Sequence, residues 1–95
     1  MRNNNYEAMF VFKPTLNDDQ TNSLLDNVRD LIAKNGGEIL DTQNFGRRKL
    51  AYDIMKHREG LYYLINFKGQ GQSIVKLEKA YRSNDSVLRT MIIKR

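Results

Sequence analysis

Cysteine is absent from the 95 residues. That excludes a disulfide framework and a thiolate metal site, and it fits a reducing compartment. Histidine occurs once, at His57, in a basic stretch with no evident carboxylate to orient it. It reads as a surface residue, and no group of side chains has the spacing of a metal site. No run of about 18 apolar residues is present to cross a bilayer. Met1 to Tyr6 is polar and lacks the apolar stretch of a secretory signal. The default expectation is a cytoplasmic protein with no membrane contact. Catalytic patterns are also missing. Ser73 and Ser86 lie in no nucleophile motif. Gly69-Gln70-Gly71 is too short for a phosphate loop and reads as a turn. Asp18-Asp19 is better explained as charge at a helix start than as an acid–base dyad. A chain this short leaves little room for a deep cleft. No enzyme, cofactor or small-molecule substrate is expected.

What is present suffices for one small folded domain, residues 1–95. Apolar residues make up 40% of the chain, too many for a disordered tail. Charge is unevenly placed. Residues 1–46 carry four bases against seven acids, net −3, and residues 47–95 carry twelve bases against four acids, net +8, giving the formal +5 of the whole. Such asymmetry suits a surface that faces a polyanion.

The pattern of residues divides the chain into six elements. Tyr6 to Lys13 alternates as a strand, with Tyr6, Ala8, Phe10 and Phe12 on one face and Glu7, Met9, Val11 and Lys13 on the other. The only proline, Pro14, ends it. Asn17 can cap a helix whose start holds Asp18 and Asp19. Leu24, Leu25, Val28, Leu31 and Ile32 make its apolar stripe, and Asn35-Gly36-Gly37 stops it. A long extended stretch follows from Glu38 to Ile54, interrupted at Gly46, where a bulge or bend is expected. Lys56 to Gly60 reads as a polar turn, and Leu61 to Lys68 as a third strand. A second helix covers Gln72 to Arg82, with Ile74, Leu77 and Tyr81 inward; Glu78 can pair with Arg82 four residues on. Val87 to Ile93 is the last strand.

Strand, helix, strand, strand, helix, strand is the order of the ferredoxin-like split β-α-β fold. This is an α+β arrangement in which a four-stranded antiparallel sheet carries both helices on one face. The other face is left open. Alternation places Met9, Val11, Tyr62, Leu64, Arg89, Met91 and Ile93 there, and so apolar a face calls for a partner. RNA-recognition motifs share this element order and stack bases on that face. Here, however, Glu59 stands where that motif has a base, and Leu61 and Asn66 where it has aromatics. A protein partner suits the face better. An acylphosphatase-type site is disfavoured, because Lys13-Pro14-Thr15 supplies no arginine-bearing phosphate loop.

Bases cluster at Arg47-Arg48-Lys49, at Lys56 and Arg58, and at Arg89, Lys94 and Arg95. Such groups bind phosphates, which dominate nucleic-acid affinity. The stretch Gly46-Arg47-Arg48-Lys49-Leu50-Ala51-Tyr52-Asp53-Ile54 resembles the G-x-R-x-L-A-Y-x-I signature of the bacterial small-subunit ribosomal protein six family. Tyr6-Glu7, Pro14, Gly36-Gly37, Gly60-x-Tyr62 and Asp85-x-Val87-x-Arg89 are similar to that family in order and spacing, so the resemblance covers nearly the whole chain. Phe45 stands where many members have tryptophan. The sequence stops at Arg95, short of the acidic or flexible tail that many members carry, so no contact by such a tail is expected of these residues.

The resemblance implies the same fold. It also implies a structural protein of the ribosome that binds the central domain of the small-subunit ribosomal RNA, paired with small-subunit ribosomal protein eighteen. RNA contact is expected at Arg2, Lys56, Arg58 and Lys94, with Arg89 nearby, mostly to phosphates. The partner protein is expected on Met9, Val11, Tyr62, Leu64 and Met91, with Arg47 and Arg48 serving that interface, RNA or a surface ion pair.

Overall fold

The computed structural model describes residues 4–95. The elements run β1 (Asn4–Phe12), α1 (Asp18–Lys34), β2 (Glu38–Ile54), β3 (His57–Gly69), α2 (Gly71–Arg82) and β4 (Val87–Lys94). The four strands form one antiparallel sheet in the order β2-β3-β1-β4. This is the expected split β-α-β fold. The first strand lies in the middle of the sheet, where β1 pairs with β3 from Asn4 opposite Gly69 to Phe12 opposite Leu61. On its other side it pairs with β4, with Tyr6 opposite Lys94. The Arg95 amide adds a further bond to the Asn5 carbonyl at 2.8 Å.

Local chemistry sets the ends of α1. Asn17 Oδ1 accepts the Gln20 amide at 2.8 Å, and Gln20 Oε1 accepts the Asn17 amide at 3.0 Å, a reciprocal capping box. At the other end the Gly37 amide returns to the Ile32 carbonyl at 2.9 Å and the Gly36 amide to the Ala33 carbonyl at 3.1 Å, which closes the last turn.

The core lies between the helices and one face of the sheet. Tyr6, Ala8, Phe10 and Phe12 of β1 meet Tyr63, Ile65 and Phe67 of β3, covered by Leu24, Leu25, Val28 and Ile32 of α1 and by Leu77 and Tyr81 of α2. Phe10 meets Tyr81 edge-on at 4.9 Å between ring centroids, and Phe12 stacks on Tyr63 at 5.1 Å. The Tyr81 hydroxyl donates to the Val28 carbonyl at 2.7 Å and ties α2 to α1.

Burial pushes the Tyr81 phenol well above its ordinary range, and burial followed by the charge of Asp18 raises that of Tyr63. The folded state therefore holds these protons more tightly than the unfolded chain does. The associated stability is fully present below about pH 10 and is lost as pH rises beyond it. Urea unfolding at a series of pH values should show stability falling above about pH 10. Tyr81→Phe should flatten most of that fall and lose about 1 kcal/mol at neutral pH with its hydrogen bond. An equally steep fall in the variant would exclude Tyr81 as the responsible group.

The hairpin between β2 and β3 departs from the sequence expectation. Polarity suggests a turn over Lys56 to Gly60, but the connection is the two residues Met55 and Lys56, both with left-handed φ, 49° and 68°. His57 to Gly60 belong to β3. Their polar side chains imitate a loop because they lie mostly exposed at the end of a long hairpin, where no helix-facing core demands apolar residues.

Candidate functional site

On the open face, Met9 lies between Leu64 of β3 and Met91 of β4, and Val11 lies between Tyr62 and Arg89. Met9, Val11, Tyr62, Arg89 and Met91 line a shallow depression of about 140 Å³. Ile93, exposed and opposite Glu7, extends the apolar strip along β4. The expected partner set is thus brought together in space, with one correction of depth. Met91 is 45% exposed, whereas Val11 and Leu64 are only 4% and 8% exposed. These two form the floor of the face rather than its contact surface.

Glycine explains why Val11 is so deep. Gly60 lies so close that an added Cβ would come within 2.3 Å of Val11 Cγ1 and 3.6 Å of Leu50 Cδ2. The missing side chain lets Leu50 and Val11 close over that point and make a small second apolar cluster on the nominally open side.

The signature segment shapes the same region. Gly46 adopts φ 75°, just past a register shift that sets Phe45 outside the ladder, and its amide donates to Asn44 Oδ1 at 2.7 Å. The bend expected at Gly46 is present, and only glycine takes that φ without strain. Further on, Lys49 pairs with Glu59, but the next pair is Ile54 with His57. Four residues of β2, Leu50 to Asp53, therefore face only Arg58, and the excess chain bulges out of the ladder. The bulge carries Tyr52 across the face, and its hydroxyl accepts a hydrogen bond from Arg89 Nη1 at 3.0 Å. Tyr52 is 61% exposed. Sequence reasoning assigned it no role. Alternation fails inside a bulge, and only its place within the signature marked it.

Arg47 and Arg48 diverge. Arg47 pairs opposite Leu61, on the helix-covered side, and its guanidinium bonds Glu59 at 3.3 Å and the Pro14 carbonyl at 3.1 Å. It clamps the hairpin to the end of β1 and does not join the open-face set. Arg48 lies opposite Gly60 on the open side, with Nε donating to the Phe45 carbonyl at 3.1 Å.

The bases expected to meet RNA are spread along the sheet. Lys56 is at the hairpin tip, Arg58 follows it on β3, and Arg89, held by Tyr52, lines the depression. Lys94 lies opposite Tyr6, level with Phe67 of β3. Lys56 precedes Phe67 by eleven positions, a span of about 35 Å along an extended strand. Lys56 and Lys94 therefore lie toward opposite ends of the sheet. Arg2 lies outside the described residues. Among the described residues there is also no cluster of three potential metal ligands. The two raised tyrosine pKa values belong to the helix-covered core, not to the open face.

Fold and face together define an antiparallel α+β module, with an apolar depression on the sheet that Arg89 helps to line. Comparison with known proteins makes this specific: the chain belongs to the ribosomal protein S6 family, whose model matches residues 5–94. It is 41% identical over 90 residues to the small ribosomal subunit protein bS6 of a Synechococcus species, covering 95% of this chain and 67% of that one. With the bS6 of Helicobacter hepaticus it shares 45% identity over 89 residues, 94% of this chain and 65% of the relative. The chain thus spans about two thirds of the length of these curated relatives. The crystal structure of 30S ribosomal protein S6 from Thermotoga maritima superposes with a TM-score of 0.92 at 32% identity, covering 99% of this chain and 89% of that one. The family is one of structural proteins of the small ribosomal subunit in the bacterial cytoplasm, not of enzymes. No helix among the described residues is long and apolar enough to cross a membrane.

Proposed function

We propose that this chain binds the central domain of the small-subunit ribosomal RNA jointly with small-subunit ribosomal protein eighteen. The observation that carries this reading is that the cation Arg89 lines the same depression as the apolar side chains of Met9, Tyr62 and Met91. A partner protein covers the apolar depression, and phosphates run past the hairpin. Lys94, at the far end of β4, makes a separate phosphate contact. Tyr52 orients Arg89, because its hydroxyl holds one guanidinium nitrogen and leaves the others for RNA.

The test is the salt dependence of RNA binding in the presence of the partner. Neutralising Lys56 and Arg58 together should flatten the log–log slope by roughly 0.7–0.9 for each phosphate that is no longer neutralised. An unchanged slope would remove the hairpin from the RNA interface. RNA bound equally well without the partner would point instead to bases stacked directly on the sheet.

A further inference from the structure

The sheet has two edges, and they differ. The β2 edge is interrupted three times, near Leu40, near Phe45 and again between Lys49 and Ile54. The β4 edge is regular from Arg89 to Lys94, and no strand among the described residues lies on its outer side. Bulges are a common device for making an edge unable to accept another strand. In β4 the only register shift lies near its start, opposite Val11 and Phe12.

Beside that regular edge runs a groove. A cavity of about 180 Å³ lies between α2 and β4, lined by Glu78 and Arg82 of the helix and by Val87, Leu88, Arg89 and Thr90 of the strand. A second hollow, sharing Glu78 and Arg82, continues along the helix past Lys79 to Val75, which is 70% exposed. Three polar side chains here are unspent. Thr90 Oγ1 is the one buried side-chain polar atom among the described residues that lacks a hydrogen-bond partner. The ion pair expected between Glu78 and Arg82 does not form, since the described ion pairs join Arg29 to Asp26, Arg47 to Glu59 and Arg95 to Glu7. A buried hydroxyl without a partner is costly, and a ligand that supplies one relieves that cost.

We propose that the β4 edge accepts an extended acidic segment of another protein as a fifth strand. Its backbone bonds the outward amides and carbonyls of β4, and its helix-facing side chains enter the groove beside α2. Acidity follows from the lining. Lys79 and Arg82 outnumber Glu78, and a carboxylate entering the cavity would meet the Arg82 guanidinium and the Thr90 hydroxyl together. Only Arg89 of its lining also borders the depression around Met9 and Tyr62, and Tyr52 holds that guanidinium on the open face, so the groove can be filled whether or not that face is covered.

The probe is a synthetic peptide of alternating Asp and Val, eight residues long to match β4, added to the full chain and followed by amide chemical shifts and hydrogen exchange. The expected result is new protection confined to the β4 amides that do not pair with β1, and shifts along α2 from Val75 to Arg82. Arg82→Glu should weaken binding about tenfold. The same peptide with alternate N-methylated residues, which cannot complete a ladder, should not bind. Equal binding of a Lys-Val peptide would overturn the proposal, as would binding of the N-methylated peptide or shifts centred on Met9, Tyr62 and Met91. Absence of binding at millimolar peptide would overturn it as well.

Discussion

Aspartate in place of Leu64 is expected to destabilise the isolated protein by about 3–5 kcal/mol, enough to unfold much of it at ambient temperature. Alternation alone puts Leu64 on the open face, where an acid would spoil pairing with a partner and spare the fold. The structure reverses that order of effects. Leu64 is 8% exposed on the central part of the sheet, opposite both Met9 and Gln43. A carboxylate there loses the packing of the leucine and has no cation directly opposite it, so its charge must be neutralised or the strand must open. Denaturant unfolding of the variant without any partner decides the matter. A midpoint equal to that of the parent protein would show that this position is freely hydrated.

The complementary change is expected to act on association alone. Tyr62→Ala combined with Met91→Glu should weaken the proposed pairing with small-subunit ribosomal protein eighteen by about 2 kcal/mol or more, roughly thirtyfold. Tyr62 is only half-buried and Met91 lies at the surface of the depression, so neither supports the helix-covered core. Titration calorimetry would read the affinity, and thermal unfolding of the free variant would check that the fold is intact. Unaltered affinity in a folded variant would move the partner off this face. The two experiments together separate buried from contact positions on one sheet face.

Much of this architecture could be read from local pattern. Asn17 and Gln20 lie where a capping box needs them, and Asn35-Gly36-Gly37 gives a helix stop that hydrogen bonding confirms. The alternation of Tyr6 to Phe12 assigns each residue to the correct face. Depth was not legible, because a period of two distinguishes faces but says nothing of what covers them. Leu50 and Gly60 submerge Val11 through a contact between strands, which no single segment encodes.

Register was the other hidden quantity. The bulge at Leu50 to Asp53 and the turn at Met55-Lys56 together decide that Tyr52 reaches Arg89 and that Lys56 is remote from Lys94. Both depend on how two strands align, whereas the sequence displays each strand alone. The family signature marked this segment as special without showing its shape.

The central place of β1 has a temporal meaning. A strand made first must wait for its last neighbour, since β4 pairs with it through residues as late as Lys94. During synthesis the β2–β3 hairpin can close early, and β3 can dock on β1, but the sheet stays one strand short until the final element is available. Closing a loop from Tyr6 to Lys94 is among the entropically slower steps open to a chain of this length. Pairing of β4 with β1 should therefore complete the sheet last, and the helices and the hairpin form as local events well before it.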